Sequence, residues 1–76
     1  MQTTISDRLQ IMLCVLNLNQ KEFANKVGLT EAAISRYLNG SRMPNATHIR
    51  QIADSTGVNP SWILGYGSDN QIVFLK

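Results

Sequence analysis

Residues 19–40 read NQKEFANKVGLTEAAISRYLNG, and the spacing within this stretch decides the fold. Phe23, Ala24 and Val27 lie on one face of a helix over about 20–27. Gly28 follows at once, where a helix often ends in a left-handed residue that glycine adopts at low cost. Leu29 points back inward. Thr30 is a good N-cap for a second helix over 31–38. Ala24 is small, as a close crossing of two helices requires. A small residue, a Val27-Gly28-Leu29 turn, then Ile34 and Tyr37 as inward anchors make a helix-turn-helix pattern.

The second helix is legible at about 100° per residue. Ile34, Tyr37 and Leu38 gather on one side and face the core. The other side carries Ala32, Ser35, Arg36 and Asn39. A solvated helix normally spreads charge over its outer face, whereas this face is small residues with one Arg and one Asn. Small residues admit a close partner, and Arg and Asn make paired hydrogen bonds to base edges. The expected base-reading residues are Glu31, Ala32, Ser35 and Arg36. Arg36 suits a guanine, Glu31 a cytosine amine, and Ala32 or Ala33 a thymine methyl.

The stretch resembles the Xre-type, lambda-repressor-like family of phage and bacterial DNA-binding domains. Gln20, Ala24, Val27, Gly28, Leu29, Thr30, Ile34, Tyr37, Asn39 and Gly40 carry the resemblance. NPSWILG, residues 59–65, is similar to that family's fifth helix. The resemblance covers roughly residues 4 to 65. It implies an all-α domain of five helices, DNA binding and a two-fold dimer on a palindromic operator. It also places a phosphate-binding Gln at Gln20 and backbone contacts where Arg42 lies; Thr30, Asn39 and Ser41 are expected on the neighbouring backbone.

With 76 residues the chain makes one domain, with a helical core over about 4–65 and a tail over 66–76. A chain of this length buries about 60–65% of its unfolded surface, so the core is modest. The hydrophobic fraction, 43%, suits a globular fold. A net charge of +2 suits a polyanionic partner. The chain shows no signal peptide and no membrane-length apolar run, and its single Cys fits a reducing compartment. A cytoplasmic location is expected, with no membrane partner.

In chain order, Thr4 or Ser6 caps a first helix reaching about Leu16. Ile5, Leu9, Met12, Leu13 and Leu16 form its core-facing stripe. Residues 11–16 are apolar all round, so Cys14 and Val15 are either deeply buried or part of a partner surface. Asn19 caps the second helix. Asn39-Gly40 ends the third. Asn45 caps a fourth helix over 46–56, with Ala46, Ile49, Ile52 and Ala53 inward. Asn59-Pro60 starts a short fifth helix carrying Trp62, Ile63 and Leu64.

That helix is too short to turn both Trp62 and Ile63 inward. Trp62 is expected in the core. Ile63 is left outside with the Ile72–Leu75 run, so Ile63, Ile72 and Phe74 are the expected dimer interface. Residues 66–70 read as a turn. The run after them reads as a strand without a partner, which packs on the helices, pairs with a second subunit or begins a linker. If it folds back, it covers Cys14 and Val15.

No enzyme constellation stands out, and no cofactor, metal or small-molecule ligand is expected. A thiol in the apolar first helix would be inert. His48 is the sole His and no zinc set surrounds it; it reads as structural or surface, with a phosphate contact as the alternative. The leading function is a sequence-specific double-stranded DNA-binding regulator, a phage or bacterial repressor acting as a homodimer. The competing function is an antitoxin-type module that binds a toxin and autoregulates its operon.

Overall fold

The computed structural model describes residues 4–66 and 72–74. Five helices follow one another: α1 (Ile5–Leu16), α2 (Gln20–Val27), α3 (Glu31–Asn39), α4 (Ala46–Thr56) and α5 (Pro60–Ile63). Each begins on a side chain that accepts from its own first turn. The hydroxyl of Thr4 and the amide oxygen of Asn19 do so for α1 and α2, and Asp7 and Glu22 reach back to complete two capping boxes. Thr30, Asn45 and Asn59 cap α3, α4 and α5. The starts foreseen from sequence hold, and α3 runs one residue further, through Asn39.

The core gathers one stripe from every helix: Leu9 and Met12, Phe23 and Val27, Ile34 and Tyr37, Ile49 and Ile52, then Trp62 and Ile63. α3 lies against α1 and α2, and α5 against α1 and α4. α3 is therefore gripped from two sides by its inner face, and its outer face is left open.

Two expectations fail here, that Ile63 stays outside and that the tail covers Cys14 and Val15, and the choice left open for Cys14 and Val15 falls against burial. Ile63 is fully buried, at 0% exposure, together with Trp62 at 1%. The single turn of α5 sits between α1 and α4, so residues on two flanks of it are covered by different helices. Leu64 is the residue left outside, at 49% exposure. Cys14 and Val15 are exposed, because the neighbours of α1 lie along its Leu9–Met12 side. The tail does fold back, but elsewhere: the Asn59 amide donates to the Val73 carbonyl at 2.7 Å, and Val58 and Phe74 form an antiparallel bridge. The run thus has a partner within the chain, at the α4–α5 connection rather than over Cys14. Ile72 is half-buried against the core, whereas Phe74 is more exposed. The expected loose start at residues 1–3, the turn at 67–70 and Leu75 lie outside the described residues.

Arg8 was not singled out by the sequence, yet it is the one buried charged residue among those described, at 3% exposure. Its guanidinium donates to the carbonyls of Trp62, at 2.9 Å, and Tyr66, at 3.1 Å. The same group lies 4.9 Å from the centre of the Trp62 ring, a cation–π contact. A signal was present: residue 8 falls on the Ile5–Leu9–Met12 stripe, and a charge on a core-facing stripe demands a buried partner.

Candidate nucleic-acid interface

The turn between α2 and α3 is built by a sharp reversal at Gly28, whose φ is +74°. A side chain there would be strained, and a Cβ would stand 3.0 Å from Gln51 Nε2. Leu29 donates its amide to the Ala24 carbonyl at 3.1 Å, and Ala24 is buried at the crossing. Gln51 on α4 reaches over the turn. Its side-chain amide donates to the Val27 carbonyl at 2.7 Å and the Gly28 carbonyl at 3.1 Å. Two carbonyls at the end of a helix are thereby satisfied by a third helix.

The far end of α3 is held as well. Ser6 donates its hydroxyl to the Leu38 carbonyl, and Gln10 donates its side-chain amide to the same oxygen at 2.8 Å. Sequence reasoning missed Gln51, Ser6 and Gln10 as well as Arg8. Their partners are 23 to 58 positions away, and no local pattern announces such bonds. With Ile34 and Tyr37 buried, α3 is fixed in rotation and at both ends.

That fixing brings the expected base-reading residues together on the open side. Glu31, Ala32 and Arg36 are exposed and Ser35 is half-exposed. Ala32, Ser35 and Arg36 occupy one arc of α3, opposite Ile34 and Tyr37, and Glu31 stands at the edge of that arc. Glu31 stands in the first turn of the helix, where a carboxylate interacts favourably with the free N–H groups. Thr30 is exposed, but its hydroxyl already accepts from the Ala33 amide at 3.1 Å.

The expected clamp residues divide between the two ends of the motif. Gln20 is half-buried in the first turn of α2. Asn39, Ser41 and Arg42 cluster past the end of α3. The side-chain oxygen of Asn39 accepts from the Ser41 amide at 2.8 Å, and the Arg42 amide donates to the Arg36 carbonyl at 3.3 Å. The loop is thus folded against the helix end, with the Arg42 side chain exposed. Neither Arg36 nor Arg42 is paired with a carboxylate among the described residues; the ion pair found there joins Arg50 and Asp54, on α4. No helix of the described residues is long and apolar enough to cross a membrane.

An apolar groove of about 530 Å³ lies on another side, between α4 and α5. Pro44, Ala46, Ile49, Val58 and Leu64 line it, with Arg50 and Asp54 also at its surface.

Comparison with known proteins agrees with this architecture. The helix-turn-helix family matches residues 12–63. An uncharacterized HTH-type transcriptional regulator of Haemophilus influenzae is 32% identical over 62 residues, which cover 82% of this chain and 26% of that protein. The chain therefore spans only a minor part of that relative's length. The solution structure of the DNA-binding domain of the P22 C2 repressor superposes with a TM-score of 0.77 at 16% identity, covering 93% of this chain and 99% of that one. At that identity the likeness is one of fold. With the match over most of its length and the five-helix arrangement described above, the chain belongs to the Xre-type, lambda-repressor-like helix-turn-helix family of DNA-binding domains.

Proposed function

We propose that this domain is the operator-reading part of a phage or bacterial repressor, and that it reads double-stranded DNA sequence as a two-fold dimer. The observation that carries the reading is the open arc of α3. Glu31, Ala32, Ser35 and Arg36 stand outward there while Ile34 and Tyr37 lock the opposite side in the core. In a major groove Arg36 grips a guanine, Ala32 lies against a thymine methyl, and Ser35 and Glu31 complete the readout. Gln20, Thr30, Asn39, Ser41 and Arg42 hold the backbone on either side of the helix. For Thr30, whose hydroxyl serves the helix cap, the contact falls to the backbone around it.

One helix reads only a handful of base pairs, so selection of a genomic site calls for two copies on an inverted repeat, about 34–36 Å apart. The burial of Ile63 moves the candidate dimer surface to the α4–α5 groove. Leu64 supplies the exposed apolar side chain, and Phe74, bridged to Val58, borders it. Arg50 and Asp54 place one charge of each sign on that surface, so a two-fold axis can set each Arg50 against the partner copy's Asp54. A dimer joined through this one groove is expected to be weak in solution and to tighten on the operator.

Selection of binding sites from random duplexes, followed by a salt titration of the recovered sequence, tests the reading. The expected product is an inverted repeat bound two to one. Recovery of no preferred sequence would sink it, and one protein per duplex at saturation would remove the dimer.

A further inference from the structure

A cavity of about 220 Å³ opens between α3 and the start of α4, with Arg36, Tyr37, Arg42, Asn45 and His48 in its wall. His48 is the sole histidine of the chain and is half-buried. Its Nδ1 lies 2.6 Å from the Tyr37 hydroxyl, and the two rings are 6.1 Å apart at a tilt of 59°. Tyr37 is itself locked in the core of α3, at 5% exposure. The imidazole is therefore held through one nitrogen by a side chain that cannot move away. Nε2 has no hydrogen-bond partner among the described residues.

The charge around this ring has one sign. α3 contributes Arg36, the following loop contributes Arg42, and the neutral Asn45 stands at the cap of α4. No carboxylate lines the cavity. A wall that carries Arg42 and His48, with Arg36 beside them and no carboxylate, is complementary to an anion, and its place is beside the C-terminal half of the helix assigned to the major groove.

The geometry points to a seat for one backbone phosphate of the operator, held by Arg42 and His48, in which binding draws a proton onto His48. The inference rests on the reading of α3 as the base-reading helix and adds to it a residue and a pH dependence. With Nδ1 held by Tyr37, the ring presents Nε2 to the phosphate as a donor. A seated phosphate favours the charged imidazole over the neutral one. Operator affinity is then greatest at the acid end of the imidazole range and falls as pH rises through it. Arg36 stands at the edge of the same cavity and leaves its guanidinium for the base edge.

Fluorescence anisotropy on the selected duplex, at about pH 6 and about pH 8 across a salt series, tests this. The wild-type protein is expected to bind about three- to five-fold more weakly at the higher pH, as befits one partly exposed charge pair. Its salt slope should also become shallower by about one at the higher pH. His48→Gln should bind with the same weak affinity at both pH values. His48→Arg, which carries a fixed charge, should bind tightly at both. Replacing backbone phosphates one at a time by neutral methylphosphonates should erase the wild-type pH response at one position in each half-site. Retention of the wild-type pH response by His48→Gln would overturn the inference, as would its survival at every methylphosphonate position. Failure to recover a preferred duplex overturns the base-reading assignment first, and is seen before the pH is varied.

Discussion

The side-chain amide of Gln51 lies 2.7 Å from the carbonyl oxygen of Val27. One hydrogen bond thus ties the end of α2 to the middle of α4 at the point where the chain reverses into α3. Removing it leaves a partly buried carbonyl without its donor. Gln51→Ala should lower stability by about 1–2 kcal/mol in urea denaturation. Gly28→Ala should cost about as much again, because φ is +74° and the new Cβ would stand 3.0 Å from the Gln51 amide. The two changes should couple: Gly28→Ala costs less when Gln51 is already Ala, since only the backbone strain remains. Strict additivity of the two would show that the crowding has no energetic weight.

Arg8 and Trp62 form the second long-range tie. Arg8→Ala removes donors from the Trp62 and Tyr66 carbonyls and uncovers the indole face. A loss of about 2–4 kcal/mol is expected, from hydrogen bonds and from packing together. Arg8→Lys keeps the charge but not the planar fork, and should recover only part of it. Trp62 is the sole tryptophan, so its fluorescence reports both the unfolding curve and the local change. Wild-type stability in Arg8→Ala would show that water replaces the guanidinium at no cost.

Arg36 and Arg42 should separate specificity from affinity. Arg36→Ala is expected to cost about 1–3 kcal/mol at one base position and to relax the preference there. Arg42→Ala should weaken all sequences alike and reduce the salt slope by about one. Competition against single-base variants of the selected operator distinguishes the two. An equal loss on every sequence for Arg36→Ala would move that residue to the backbone.

Ile63 and Leu64 are neighbours with opposite expected phenotypes. Ile63→Ala opens a cavity at a fully buried site and should cost about 2–4 kcal/mol of stability. Leu64→Glu changes an exposed side chain on the α4–α5 groove. It should leave the melting curve of the free protein nearly unmoved and weaken assembly on the operator by tenfold or more, that is about 1.4 kcal/mol. Sedimentation velocity of each variant with the duplex checks this. Unaltered two-to-one assembly by Leu64→Glu would exclude the groove as the dimer surface.

The helix starts were legible in the sequence because each is decided within about four residues. Thr4, Asn19, Thr30 and Asn45 accept from amides three positions ahead, and Gly28 and Gly40 end helices by conformation alone. The face of α3 was legible for a similar reason. Ile34 and Tyr37 mark its inner side by helical period, so Ala32, Ser35 and Arg36 fall opposite them.

What the tertiary structure decided is everything that depends on which helix covers which. Periodicity shows that a face is apolar but not how many neighbours will share it. α5 received cover on two flanks, and Ile63 went inside with Trp62. α1 received its cover along one side, so Cys14 and Val15 stayed out despite an apolar run around them. The tail found its backbone partner at Val58 and Asn59, beside α5 and away from α1. Arg8, Gln51 and His48 took roles from residues 54, 24 and 11 positions away. Hydrogen-bond capacity is written in a residue's chemistry, but the partner is supplied only when distant segments are brought within about 3 Å of it.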